Sequence, residues 1–444
     1  MNAIILSIGD ELTLGQTVDT NSAHIAQQLS AVGCDVTEHR TVADDRAAIV
    51  EAMKACAEAA DVLIVSGGIG PTEDDLTRDA LAEALGVPLE TYPPALERLE
   101  AYFKKLGRPM PERNKVQALL PQGAASLDNP HGTAPGIRAE LKRGAHDRLA
   151  RRGALGRGAT PGPCAVFVMP GVPKEMKPML QNHVLPFVRE RSGGAAILQK
   201  TLHVFGVGES TVAEKLGDLM QRGRNPSVGT TVSNGIVSLR INARFGSVAE
   251  AQTQIDETIQ ACRQACGDLI YGEDGQSLAE AVAAMLLARG GEQNKENGVT
   301  VATAESCTGG LLAKMLTDTP GSSAYFKQGW ITYSNAAKES QLGVANATLV
   351  AYGAVSEPVV REMAEGARAR SGATVALSIS GVAGPDGGTE QKPVGTVCIA
   401  LATPDGTTAR TFPFSGDRET VRDRSAKMAM AMLRYHLLGK PMPV

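Results

Sequence analysis

Ser306 and Cys307 stand side by side in the stretch Ala-Glu-Ser-Cys-Thr-Gly-Gly (304–310), between a β-type run (299–303) and an apolar helical pattern (311–316). Either side chain is a nucleophile in type. A serine hydroxyl is barely ionised near neutral pH and needs a base, and a catalytic thiol is usually raised by a histidine. The only histidine beyond residue 276 is His436, inside an apolar helical pattern, so Cys307 reads as packing behind the turn. Lys338 offers the serine a base: an amine held neutral by burial can take the hydroxyl proton, with Tyr333 at the end of a strand near 329–333 to relay or orient it. Asn335 is placed to cap the helix that carries Lys338. Gly309 and Gly310, at a helix N-terminus, can turn exposed amides toward an oxyanion or a phosphate. Without Lys338 and the glycine-rich loop that follows Ser380, Ser306 would read as a helix N-cap.

A second stretch with chemistry is Val-Leu-Ile-Val-Ser-Gly-Gly-Ile-Gly-Pro-Thr-Glu-Asp-Asp-Leu-Thr (62–77). Gly67, Gly68 and Gly70 follow a strand and let backbone amides approach an anion without Cβ obstruction. Pro71 and Thr72 are expected to start a helix, with Asp74 and Asp75 in its first turn. Those two acids could ligate a divalent cation that offsets pyrophosphate charge, or only complement the helix dipole. Asp10, Glu11, Asp44, Asp45 and the loop Asn-Pro-His-Gly-Thr-Ala-Pro-Gly (129–136) strengthen the anion-site reading.

Around these residues the chain falls into three blocks. From 1 to 170, β-type runs alternate with helical patterns, which implies a parallel sheet wrapped by helices. From 171 to 275 a small α+β module follows, with a hairpin signal at Asn234-Gly235. From 276 to 444 the βα rhythm returns. Two stretches, 141–163 (Arg/Gly/Ala-rich) and 289–298 (polar), read as surface loops. The 444 residues carry a net charge of -4, which argues against general nucleic-acid binding. Seven scattered cysteines read as reduced thiols, and the N-terminus reads as a first strand, not a signal peptide. No run approaches a membrane span. A cytoplasmic protein is expected.

The motifs at 9–22, 67–77, 114–124, 129–136 and 169–176 resemble the first domain of the competence/damage-inducible CinA family, itself similar to MoaB/MogA-type molybdopterin-binding folds. Those at 304–326, 333–338, 353–368, 381–397 and 414–422 are similar to the family's C-terminal domain. The resemblance implies an α/β fold: a MoaB/MogA-like parallel-sheet domain, a small KH-like α+β module and a C-terminal α/β domain. For the first domain it implies ADP-ribose pyrophosphatase activity with a divalent metal at Asp74 and Asp75. Asp10, Glu11, Asp44, Asp45, Gly67, Gly68, Gly70, Thr72, Thr77, Asn114, Gly132, Thr133, Pro135 and Gly136 would bind nucleotide. For the last domain it implies hydrolysis of the carboxamide of nicotinamide mononucleotide without a metal. Ser306 would be the nucleophile, with Tyr333 and Lys338 as activators. Thr308, Gly309, Gly310, Ser380, Gly381, Gly384, Lys392, Arg418 and Arg422 would hold substrate, the phosphate going to Arg418 or Arg422. The 141–163 insertion departs from the family pattern. The middle block lacks the GxxG loop of an RNA-clamping KH module. The partners implied are small nucleotides and a second copy of the chain, as a dimer. Two rival readings stay open: a molybdopterin-like ligand-binding protein, and a competence-associated scaffold.

Overall fold

The computed structural model describes residues 1–143, 162–192, 196–290 and 298–443. Most of the 141–163 and 289–298 loops therefore lies outside the described residues. The chain divides into two compact units, Met1–Gln199 with Asn242–Ile255, and Lys200–Ile241 with Asp256–Val444.

In the first unit a six-stranded sheet runs in the spatial order Asp35–Val42, Asn2–Ile8, Val62–Ser66, Cys164–Met169, Gly136–Leu141, Ala125–Leu127. The first four strands are parallel and the last two antiparallel. Asn2–Ile8 and Val62–Ser66 are buried along their whole length, as their unbroken apolar runs require of central parallel strands. Helix Thr20–Ala31 is capped by Asp19, whose carboxylate accepts from the Ser22 amide, and helix Arg46–Ala59 by Asp45. The helix expected from Pro71 begins only at Thr77. Asp75 is the reason: its carboxylate accepts from the amides of Gly70 (2.6 Å) and Thr72 (2.8 Å) and from the Thr72 hydroxyl, closing a turn that competes with helix.

The middle sheet has the order Ser227–Ser233, Ile236–Phe245, Ala196–Phe205, Ile270–Glu273. Its hairpin turns at Asn234 and Gly235, both at positive φ (47° and 76°), as a two-residue turn of this kind demands.

The third sheet, in the second unit, has the order Phe326–Ile331, Val301–Glu305, Val375–Gly381, Thr396–Thr403, Gly406–Pro413, three parallel strands and then two antiparallel. Its two faces differ in size. Val301, Val375, Leu377, Ile379, Val397 and Ile399 pack against helices Leu278–Gly290, Leu311–Thr317 and Arg418–Leu438. The other face presents Ala302, Ala304, Ala376, Ala400 and Ala402 to helix Glu357–Ser371. Small residues let that helix lie close on the sheet. Strand Phe326–Ile331 ends two residues before Tyr333, and Gly406–Pro413 is a strand that the sequence reading had not marked. All seven cysteines are free and buried.

Gly366, in the middle of helix Glu357–Ser371, shows how close the fit is. A Cβ there would stand 1.9 Å from the Leu342 carbonyl oxygen. Alanine would gain about 1 kcal/mol of helix propensity, but overpacking against backbone costs about 1–3 kcal/mol. Gly366→Ala is expected to lower the urea midpoint, and a raised midpoint would show that the Leu342 segment yields freely.

Candidate active site

Strand Val301–Glu305 ends directly before Ser306, so the sheet delivers the hydroxyl to a turn ahead of helix Leu311–Thr317. The Ser306 amide donates to the Ile379 carbonyl (2.9 Å), which ties the turn to the neighbouring strand. Lys338 reaches it from another element. A short helical turn, Asn335–Ala337, runs into a wider turn, Lys338–Leu342. Its cap is Ser334, whose hydroxyl accepts from the Ala337 amide (3.1 Å); the expected Asn335 cap is one residue off, because the shorter hydroxyl occupies that position. The Lys338 amine is 1% exposed and lies 3.0 Å from Ser306 Oγ and 2.8 Å from the Thr332 carbonyl oxygen. Burial lowers its pKa, because the charged ammonium loses its hydration and gains no carboxylate partner. The Cys307 thiol is pushed up to about 11 by burial. It is packed in the core that the sheet shares with helix Arg418–Leu438, in line with the packing role expected of it.

Several other expected residues take different roles. The amides of Gly309 and Gly310 are not open to an oxyanion. Gly309 donates to the Ser306 carbonyl (3.1 Å), and Gly310 donates to the Glu305 carboxylate (3.1 Å). Glu305, which the sequence reading passed over, fills the helix N-terminus. A carboxylate four residues ahead of the Gly309-Gly310 turn was the available signal. The Ser380 hydroxyl is buried and donates to the Ala354 carbonyl (2.8 Å), so it is not offered to a substrate. Tyr333 is 60% exposed and forms no hydrogen bond with Ser306 or Lys338 among the described residues; its hydroxyl accepts from Arg418 Nη2 (2.9 Å). The strand stops at Ile331, two residues short of the tyrosine.

The basic groups are held by backbone carbonyls. Arg418 Nη1 donates to Gly384 (2.7 Å), Arg422 Nη2 to Thr308 (2.7 Å), and Lys392 to Tyr352 (2.7 Å). Gly384 sits at φ 81° in the loop that Arg418 reads, and Gly381 closes against Val397. The Thr308 hydroxyl and Arg422 Nε are buried without a partner among the described residues, as are the hydroxyls of Thr303 and Thr332. Orphaned polar atoms beside a nucleophile are what a ligand or ordered water would satisfy.

In the first unit, a cleft of about 700 Å³ opens at the strand ends. Glu11, Asp44, Gly67, Gly68, Gly70, Asp74, Asp75 and Thr133 line it, together with Ser7, Asp19, Asn21, Ser66 and Glu175, which the sequence reading did not single out. Gly67 and Gly68 have φ of 112° and 67°, and a Cβ on Gly67 would strike the Ile8 carbonyl oxygen at 2.4 Å. Thr77 donates to the Gly67 carbonyl, and the buried Arg78, also missed, donates to that of Ile69 (2.6 Å). Asp45 is a helix cap, and Thr72 braces the turn. Asn114 pairs with Gln117, Gly132 donates to Asn129, Pro135 is buried, and Gly136 packs against Met179. Asp10 and Asp44 each accept from the other's amide (3.1 and 2.9 Å). Burial raises the Asp44 pKa, and the charges of Asp10, Glu11 and Asp74 add to the rise against the hydrogen bond from the Asp10 amide. Asp74 and Asp75 do not converge as a ligand pair, since Asp75 faces its own turn. No group of three or more His, Cys, Asp or Glu among the described residues forms a ready ligand set.

Family models match the chain along its length: a probable molybdopterin binding domain over 4–190, a damage-inducible protein CinA KH domain over 199–272, and a CinA C-terminal domain over 283–437. A putative competence-damage inducible protein of Symbiobacterium thermophilum is 42% identical over 450 residues, covering 99% of each chain. A CinA-like protein of Desulfovibrio desulfuricans is 40% identical over 444 residues, covering 99% of this chain and 97% of that one. A crystal structure of a competence/damage inducible protein from Agrobacterium tumefaciens is 38% identical and covers 37% of this chain and 97% of its own, with a TM-score of 0.34. With a MoaB-like parallel-sheet domain, a KH-like middle module and a CinA C-terminal domain in one polypeptide, and with full-length relatives at this identity, the chain belongs to the CinA family.

Proposed function

We propose that the C-terminal domain is a serine amidohydrolase acting on nicotinamide mononucleotide, and that the N-terminal cleft hydrolyses the pyrophosphate of ADP-ribose. The first reading is carried by one observation, the buried Lys338 amine 3.0 Å from Ser306 Oγ. The distance lies within general-base reach. Neutral Lys338 takes the Oγ proton as Oγ attacks the carboxamide carbon. The ammonium so formed returns that proton to the amide nitrogen as the C–N bond breaks, and ammonia leaves. A water, deprotonated by the same amine, cleaves the acyl ester to give nicotinate mononucleotide and free Ser306. The Thr308 hydroxyl, buried and unpartnered, is the donor we assign to the oxyanion in place of the engaged Gly309 and Gly310 amides. Arg418 and Arg422 keep N–H groups beyond those bonded to carbonyls and would hold the phosphate, with Tyr333 orienting Arg418.

The second reading is supported by the glycine turn and the acidic wall of the cleft. A diphosphate would be repelled by Asp10, Glu11, Asp44 and Asp74 unless a cation lay between. Asp44 and Asp74 would hold such a cation jointly with substrate oxygens, and when bound it would neutralise charge on the pyrophosphate. We further propose a cytoplasmic homodimer. Among the described residues no helix is long and apolar enough to cross a membrane.

Ser306→Ala is expected to lower ammonia release from nicotinamide mononucleotide by at least ~10³-fold, while Cys307→Ala stays within about threefold of the parent. Near-normal release by Ser306→Ala would sink the serine mechanism. The pH profile carries a second expectation. A base must be neutral to act, so kcat/KM should rise with pH along a single acid limb that lies below the ordinary lysine value of 10.5, because burial lowers the Lys338 pKa. Lys338→Arg keeps the charge but should lose about 10²–10⁴-fold in kcat with little change in KM. Intact turnover with a raised KM would make Lys338 a phosphate anchor instead. EDTA should abolish ADP-ribose cleavage and spare ammonia release, as followed by AMP and ammonia assays on one preparation; equal loss of both would contradict separate sites.

A further inference from the structure

We propose that Glu305 is the positioning residue that sets Ser306 and Lys338 in register, a role that rests on the amidohydrolase reading above. Its side chain is fully buried at the end of strand Val301–Glu305. Oε2 accepts from the amides of Gly310 and Leu312 (both 3.1 Å), and Oε1 from that of Ala313 (2.8 Å). An ordinary cap comes from the residue at the head of the helix. Here that residue is Gly310, which has no side chain, and the cap arrives from the sheet five residues earlier. Residues 306–309 are thereby closed into a ring between the backbone of Glu305 and its own carboxylate. The Gly309 amide braces the inside of the ring through the Ser306 carbonyl, with Gly309 and Gly310 at φ 61° and 94°.

The same residue governs the other partner. The Glu305 carbonyl accepts from the Thr332 amide (2.8 Å), and the Thr332 carbonyl accepts from the Lys338 amine (2.8 Å). One residue, Thr332, thus carries the position of Glu305 to the base, while the carboxylate carries it to the nucleophile. The carboxylate also satisfies amides in the first turn of the helix, which would otherwise be left without acceptors. Glu305 touches neither reacting atom. It acts through the geometry of the two groups that do.

The test uses the full chain and two variants, Glu305→Gln and Glu305→Asp. Gln keeps the size but turns an amide toward the backbone donors; Asp keeps the charge but withdraws it from the helix. Two rates are read. One is ammonia release from nicotinamide mononucleotide. The other is labelling of Ser306 by a fluorophosphonate, in which an Oγ–P bond forms, the P–F bond breaks, fluoride leaves, and Lys338 takes the hydroxyl proton. Both rates, per folded molecule, should fall about 10²-fold with KM within about threefold of the parent, as expected of a small misplacement of a reacting pair. A merely structural role would lower the melting temperature and leave both rates unchanged. Glu305→Gln that folds and labels within about twofold of the parent would overturn the proposal. Failure of both variants to fold would also overturn it, by making the residue a fold determinant only. A parent protein that labels at Ser306 yet releases no ammonia would remove the substrate assignment and leave the Glu305 comparison intact.

Discussion

Everything in the C-terminal domain answers to the burial of one amine. A lysine withdrawn from water, with no carboxylate partner among the described residues, has its pKa lowered, which favours the neutral form that a serine's base needs. That condition has to be built. The Thr332 carbonyl and Ser306 Oγ give the amine polar contacts without giving it a counter-charge. The alanine face of the sheet draws helix Glu357–Ser371 in close, and Gly366 lets that helix meet the Leu342 carbonyl at the end of the lysine's own segment. There is a thermodynamic side to this. Because the unfolded chain would bind a proton more tightly than the buried amine does, Lys338 lowers stability, fully so below its depressed pKa and progressively less as pH rises toward 10.5, above which the penalty is gone. A site that readies its base by desolvation accepts a less stable fold around it.

The two halves of the molecule treat charge in opposite ways. The C-terminal site collects lysine and arginines and turns its one buried carboxylate onto backbone amides. The N-terminal cleft gathers carboxylates on a glycine turn, with Asp44 pushed toward its protonated form by burial and by its neighbours. An anionic substrate meets compensation already built into the first of these sites. At the second, compensation has to arrive with the substrate. The family's domain combination thus places two opposite electrostatic environments on one chain.

The sequence made the large elements legible because their signals are local. Asp19 caps its helix as a short acceptor ahead of a helical pattern should, Asn234-Gly235 turns a hairpin, and unbroken apolar runs become central strands. The Ser306–Lys338 pair was also legible, from residue type and from resemblance. What escaped depended on which partner each polar group takes. Whether the Gly310 amide is free is decided by the Glu305 side chain, that of Gly309 by the Ser306 carbonyl, and whether Ser380 can meet a substrate by the Ala354 carbonyl. The start of the helix after Pro71 was misplaced because Asp75 folds back on Gly70 and Thr72, a choice that propensity does not record. Tyr333 was placed with the serine by residue type and resemblance, whereas its hydroxyl accepts from Arg418.

The seven buried thiols bear on how the protein responds to electrophiles. Burial holds Cys34 and Cys164 at about 12, and Cys56, Cys262 and Cys307 at about 11, so almost none of their thiolate exists at neutral pH in the closed molecule. An alkylating reagent therefore reacts only through transient opening of the surrounding structure, and when reclosing is fast its rate scales with the open population. For Cys307 this has a particular edge. Inactivation by such a reagent looks like the signature of a cysteine enzyme, yet here it would be a clock for the local breathing of the turn that holds the serine.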